Sequence, residues 1–156
     1  MATITNQAAL SYNGVTTLSN IAVGELVEVL TATKTAADTT YTAGGVKTFV
    51  ISLVNSSAAA LTGLTVTDTL GSYTFSGNTL YPLTYVTGSL LYYVNGALQA
   101  TPTVTATAPL TVTGVTVPAG GSAMLIYTAR VNEYAPLGVE DSITNTATIT
   151  GGGLTS

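Results

Sequence analysis

Leu90-Leu91-Tyr92-Tyr93-Val94-Asn95-Gly96-Ala97-Leu98-Gln99 is the stretch that decides the fold. Asn-Gly between two alternating segments is the strongest short hairpin signal, because both residues tolerate the positive φ of a type I′ turn. Outward from this hairpin the period of two recurs, and no segment keeps a helical period over the necessary length. Upstream, residues 46–54 and 61–70 alternate, with Ala43-Gly44-Gly45 as the turn before them. Downstream, Pro102 and Pro109 bracket an edge strand, since proline cannot donate to a central ladder. Val117-Pro118-Ala119-Gly120-Gly121 turns the chain into a long strand over residues 122–131, and a last strand covers 142–150. Residues 2–12 and 23–33 supply two more, with Tyr12-Asn13-Gly14 as a turn. Strands this frequent, with turns between them, predict an all-β chain: an immunoglobulin-like β-sandwich with an extra N-terminal strand. The expected organisation is a donor-like strand and linker over residues 1–20, a sandwich domain over 21–150 and a flexible Gly-rich tail over 151–156.

The chain has 156 residues, which suits one domain with a substantial core. Hydrophobic residues make up 46% and charged residues 6%. An average soluble protein carries roughly 25% charged residues, and disordered chains carry more, so the composition argues against disorder. Thr, Ser, Gly or Asn interrupts every apolar run long before the ~20 residues of a spanning helix, so membrane insertion is not expected. The surface must be covered by hydroxyls and amides, with threonines such as Thr65, Thr67, Thr69, Thr144, Thr146, Thr148 and Thr150 at strand positions. A surface so poor in charge fits a protein packed against copies of itself.

Net charge is −4, and the only cations are Lys34, Lys47 and Arg130. No basic patch exists to neutralise phosphates, so nucleic-acid binding is not expected. Histidine and cysteine are absent, which removes disulfides, the common nucleophile–base pairs and nitrogen or sulfur metal ligands. The acids are Glu25, Glu28, Asp38, Asp68, Glu133, Glu140 and Asp141. The one adjacent pair, Glu140-Asp141, reads as a solvated loop rather than a calcium site. No Gly-rich loop precedes a helix. We therefore expect no enzyme activity, no catalytic residue, no metal and no cofactor. Residues 1–10 lack a basic region followed by an apolar one. Export is expected to follow removal of a signal, or to use another route such as release from a lysing mother cell.

The two ends of the chain carry one motif. Ile4-Thr5-Asn6-Gln7-Ala8 matches Ile143-Thr144-Asn145-Thr146-Ala147, and Leu10 matches Ile149. In each copy the Ile, Asn, Ala and final aliphatic residue share a face, and that face fixes the register of a half-buried strand. The C-terminal copy is expected to fill a slot in its own sandwich. The N-terminal copy, Thr3, Ile4, Thr5, Asn6, Gln7, Ala8, Ala9 and Leu10 with Tyr12 beyond it, has two options. It lines another edge of its own sandwich, or it adds to a neighbour's sheet by β-augmentation. The second option is heterologous and propagates head to tail into a filament unless it closes a ring. The polar stretch 13–20 is expected to serve as the linker.

The motif set resembles a conserved repeat domain found in tandem on bacterial surface proteins. The residues that carry the resemblance are Thr33-Lys34-Thr35-Ala36, Ala43-Gly44-Gly45, Phe49-Val50-Ile51-Ser52-Leu53-Val54-Asn55, Val66-Thr67-Asp68-Thr69-Leu70, Pro118-Ala119-Gly120-Gly121 and Ile143-Thr144-Asn145-Thr146-Ala147. The resemblance covers about residues 23–150 and implies an immunoglobulin-like fold with a structural or adhesive role. In tandem relatives a T-N-x-A strand closes one repeat just before the next begins.

Thr-Asp-Thr-Leu and Asn-Thr-Ala also resemble motifs of collagen-adhesin domains that form Lys–Asn isopeptide bonds. That chemistry needs a neutral lysine, which burial favours, and an acid beside the Asn amide. Asp68 shares its strand face with Leu64, Val66 and Leu70, and Asn145 shares its face with Ile143, Ala147 and Ile149. Lys34 fits the family position. Lys47 also qualifies, since it shares a face with Phe49, Ile51 and Leu53. Asp68 and Asn145 could equally serve as plain hydrogen-bonding residues at a bulge or strand end.

Two functions fit these observations. The first is a self-assembling subunit of an extracellular filament, appendage or surface or spore coat, with the N-terminal strand as donor. The second is an adhesin or ligand-binding module. Tyr73, Tyr81, Tyr85, Tyr92 and Tyr93 would either form its binding face or pack in the core and interfaces.

Overall fold

The structure, a computed structural model, describes residues 3–25, 29–138 and 141–154. In chain order the strands are β1 (Thr3–Asn6), β2 (Ala9–Tyr12), β3 (Val15–Leu18), β4 (Ala22–Glu25), β5 (Leu30–Ala36), β6 (Val46–Asn55), β7 (Leu61–Asp68) and β8 (Tyr73–Phe75). They continue as β9 (Asn78–Leu80), β10 (Leu83–Tyr85), β11 (Leu91–Val94), β12 (Ala97–Gln99), β13 (Thr103–Thr107), β14 (Leu110–Val117), β15 (Ser122–Val131) and β16 (Ala147–Thr150).

Two antiparallel sheets form an immunoglobulin-like sandwich. One has the order β12-β11-β15-β6-β5, with β10 also paired to β15; the other has the order β13-β14-β7-β16. The long strands β6 and β15 alternate buried and half-buried residues along their length. Their inward faces carry Phe49, Ile51 and Leu53, and Leu125, Tyr127 and Ala129. These meet Leu64 and Val66 of β7 and Leu110, Val112, Val115 and Val117 of β14. Each fully buried Leu or Val contributes about 1.5–3 kcal/mol over leaving it in water. A buried polar residue, Asn55, ties the sandwich end together. Its Nδ2 donates to the carbonyls of Ala59 at 2.8 Å and Pro118 at 3.0 Å, and its Oδ1 accepts from the Ser57 backbone at 3.0 Å.

The Asn-Gly hairpin is present: β11 pairs β12, and Asn95 and Gly96 have φ of 48° and 80°. β13 lies at a sheet edge between the two prolines, and β15 spans residues 122–131 as expected.

Four details differ from the sequence expectations. The N-terminal segment is not one strand followed by a linker. It breaks after Asn6, and the expected linker holds the Asn13-Gly14 turn and a strand, β3. β2 pairs β3 and β1 pairs β4, so the segment folds back on itself as an arm. The expected strand over 23–33 is split between β4 and β5, its middle lying outside the described residues, as do Glu28 and Glu140. The last ladder begins only at Ala147. Residues 151–154, expected as a loose tail, lie against the second sheet: a Cβ on Gly152 would meet Leu64 at 2.6 Å, and Leu154 packs on the core.

Candidate covalent cross-link site

The sandwich brings Lys34, Asp68 and Asn145 to one place, from opposite sheets. Lys34 lies on β5, the edge strand beside β6, opposite Ile51. Its side chain turns inward over the Phe49 ring, with Nζ 5.2 Å from the ring centroid. Asp68 ends β7, opposite Leu110 on one side and Ala147 on the other. Lys34 Nζ and Asp68 Oδ2 are 2.6 Å apart, and the two side chains are only 12% and 1% exposed. Lys34 Nζ nonetheless has no partner in hydrogen-bond geometry among the described residues. Burial pulls the Lys34 pKa below the ordinary lysine value, and the Asp68 charge offsets this only in part. Burial thus weakens the preference of Lys34 for its ammonium form, although a carboxylate faces it at close range.

Tyr127 completes the cluster. It faces inward from β15, is 1% exposed, and stacks on Phe49 with ring centroids 5.4 Å apart. Its hydroxyl donates to Asp68 Oδ2 at 2.5 Å and accepts from Asn145 Nδ2 at 3.3 Å. Burial, first, and then the neighbouring carboxylate push the Tyr127 pKa far up, so the hydroxyl stays protonated.

The Asn145 oxygen has its own partners. Oδ1 accepts from the Gly71 backbone N–H at 3.0 Å and from the Thr69 hydroxyl at 3.3 Å. The Gly71 contact also fixes which end of the amide is oxygen, because a backbone N–H requires an acceptor. Leu70 and Gly71 have φ of 52° and 71°, a left-handed turn directly after β7. A Cβ at Gly71 would meet Ile143 Cγ2 at 2.4 Å, so glycine is required for space as well as conformation. Asp68 Oδ1 accepts from the Leu70 N–H at 3.0 Å, which holds the carboxylate in place. Thr69 and Thr146 exchange backbone and side-chain hydrogen bonds, which pin residues 143–146 beside this turn.

The arrangement has the parts for an amide bond between Lys34 and Asn145. It holds a buried amine, a carboxylate to take its proton, and an amide whose oxygen already faces two donors where negative charge would develop. Lys47 is placed elsewhere. Its Nζ donates to the carbonyls of Thr40 and Asp38 and pairs with Asp38 Oδ2 at 3.2 Å. Tyr127 and Gly71 were not singled out from sequence, and Thr69 was named only as a strand threonine and a motif member. The alternation Leu125-Tyr127-Ala129 does place a polar-tipped ring on the buried face, and that was the available signal.

The N-terminal motif copy sits differently. Asn6 lies opposite Ala22 in the arm and is exposed, so the two copies occupy different surroundings. The tyrosines do not form one face. Tyr85 and Tyr92 are buried, Tyr81 packs against the core, and Tyr73 is exposed. Among the described residues no helix is long and apolar enough to cross a membrane, and no group of three or more His, Cys, Asp or Glu is placed to hold a metal ion.

No protein-family model matches the chain, and no curated protein matches it. Solved structures do. The pilus backbone RrgB of Streptococcus pneumoniae superposes with a TM-score of 0.59 at 16% identity, over 78% of this chain and 31% of that one. The full-length structure of the same pilus protein gives a TM-score of 0.59 at 14% identity, over 82% of this chain and 23% of that one. A protein that catalyses macrocyclisation in alchivemycin A biosynthesis aligns at a TM-score of 0.40, too low to bear on the fold. This chain thus spans less than a third of the pilus backbone proteins it resembles, and shares with part of them its immunoglobulin-like fold.

Proposed function

We propose that this chain is a non-enzymatic structural subunit of an extracellular bacterial filament, appendage or coat, with a Lys34–Asn145 amide as an internal staple. The observation that carries the reading is the cluster of Lys34, Asp68, Tyr127 and Asn145 across the two sheets. Lys34 lies in the first strand of the sandwich and Asn145 just before the last. A bond between them carries an end-to-end pull past the whole core, so the strands between need not unzip under load. That suits a subunit of a filament under load. The likeness in fold to part of a pilus backbone protein supports the same reading.

The N-terminal arm supplies the means of assembly. Its strands pair with neither sandwich sheet, and Leu10 and Tyr12 are 72% and 75% exposed, with Val15, Leu18, Ile21 and Val23 also in water. Apolar side chains gathered on one small element mark an interaction surface. A neighbouring copy covers them, with residues 3–12 adding to an open edge of its sandwich. In the structure β1 takes β4 as its partner in cis, so trans pairing uses a remaining edge of the arm's two strand pairs. The adhesin reading lacks a comparable support, because its proposed aromatic face is dispersed between core and surface.

Negative-stain electron microscopy of the purified full-length chain and of a variant lacking residues 1–25 tests the assembly. The full chain is expected to form filaments and the truncated one to remain monomeric and folded. Filaments of unchanged form without the arm would show that assembly lies elsewhere.

A further inference from the structure

Among the described residues no hydrogen bond joins Asp68 to Asn145: the carboxylate contacts the lysine, and the Tyr127 hydroxyl connects it to the amide. From Lys34 Nζ the path runs 2.6 Å to Asp68 Oδ2, 2.5 Å to Tyr127 Oη and 3.3 Å to Asn145 Nδ2, the nitrogen that must leave. We propose that Tyr127 is a catalytic residue of the cross-linking reaction, relaying a proton from Asp68 to the departing Asn145 nitrogen. The proposal rests on the staple reading above.

Each proton that moves has a donor and an acceptor within the cluster. Lys34 first passes a proton to Asp68 and becomes a neutral amine. Its Nζ attacks Asn145 Cγ, forming the N–C bond, while the charge on Oδ1 is received by the Gly71 N–H and the Thr69 hydroxyl. Nδ2, planar and a donor before attack, becomes tetrahedral and gains a lone pair. Both hydrogen bonds along the path then reverse. Asp68 donates to Tyr127, and Tyr127 donates to Nδ2. The Cγ–Nδ2 bond breaks and ammonia leaves. Asp68 meanwhile takes the second proton from Nζ. The net change turns one ammonium, one carboxylate and one primary amide into a new amide, one ammonia and a protonated Asp68, with no oxidant or further reactant.

The position serves this task in two ways. The ring is fixed by its stack on Phe49 and its tilted contact with Tyr85, so the hydroxyl has little freedom beyond rotation about its own bond. The site is also dry, with Asp68 and Tyr127 each 1% exposed, so solvent is a poor substitute for the relay.

Full-length chain made in a cell-free system, with ammonia loss followed by intact mass after synthesis is stopped, tests the proposal. Tyr127→Phe keeps the ring and deletes the hydroxyl, and circular dichroism checks that it folds. Tyr92→Phe deletes another buried tyrosine hydroxyl, one that donates to the Thr116 carbonyl away from the site. Closure of Tyr127→Phe is expected to slow by about 100-fold or more, while Tyr92→Phe closes near the wild-type rate. Wild-type closure is expected to slow in heavy water, because two protons move along the path. Tyr127→Phe closing as fast as wild type overturns the relay, as does Tyr92→Phe slowing equally, which makes the effect one of losing any buried hydroxyl. A wild-type rate indifferent to heavy water overturns it without any variant. A wild-type chain that never loses ammonia overturns the cross-link itself, and the relay with it.

Discussion

Asn145→Ala removes the carbon that Lys34 would attack and so separates a stapled sandwich from an unstapled one. Two effects add. The proposed staple would close a loop of roughly 110 residues, and on the chain-entropy account a cross-link of that span stabilises by about 4–5 kcal/mol. The substitution also strips the Gly71 N–H and the Thr69 hydroxyl of their acceptor, which costs about 1–2 kcal/mol. The total loss is about 5–7 kcal/mol. At about 2–4 °C per kcal/mol for a domain of this size, the melting temperature falls by about 10–28 °C. Calorimetry on both proteins, each with its mass determined, measures the difference. A fall below about 8 °C is what the lost hydrogen bonds alone produce, and it would refute the covalent contribution.

The gap between the two proteins also depends on pH. In Asn145→Ala the Lys34 amine stays free, and burial holds its folded pKa below the ordinary 10.5. Between the folded value and 10.5 the unfolded chain then binds more protons, so stability of the variant rises with pH and levels off at the top of that window. The stapled chain has no such amine, and Asp68 and Tyr127 face the site in both proteins. Melts across the alkaline range are expected to show the gap narrowing; a widening gap contradicts the sign. Gly71→Ala forces a Cβ into Ile143 and displaces the N–H aimed at Asn145, so intact mass at early times is expected to show closure slowed by about 100-fold, as for loss of one oxyanion donor. Asn55→Ala deletes the bonds to Ala59, Pro118 and Ser57 at the sandwich end, and denaturant unfolding is expected to show a loss of about 2–4 kcal/mol.

The fold was largely legible because its signals are local. Asn95-Gly96 supplies positive φ at two successive residues, and alternation over residues 46–54 and 122–131 names the buried face of the two central strands. The arm was less legible. Alternation over residues 2–12 reads the same whether the partner is a sandwich strand or a second strand of the arm itself, since pairing is a tertiary choice. Residues 142–146 alternate too, yet they are held by Thr69 and Gly71 rather than by a ladder. β14, between Pro109 and Pro118, is less legible because its register shifts at Gly114, which breaks the period of two.

The site was half legible. Asp68 and Asn145 stand out as polar residues on apolar faces, and the motif resemblance pointed to Lys34. The choice between Lys34 and Lys47 could not come from pattern, since both face inward in adjacent strands. Only the loop carrying Asp38 and Thr40 takes Lys47 out of reach. Tyr127 was hidden by its ordinary appearance, one aromatic among several in the core. Its role follows from what its hydroxyl touches across the sandwich, and no spacing along the chain reports that.

The most direct test of the staple at the centre of this account is the intact mass of the full-length chain, purified folded and then denatured. The account predicts a mass lower than that of the sequence by one ammonia. A chain that weighs what its sequence dictates, with Lys34 and Asn145 both unmodified, would contradict it.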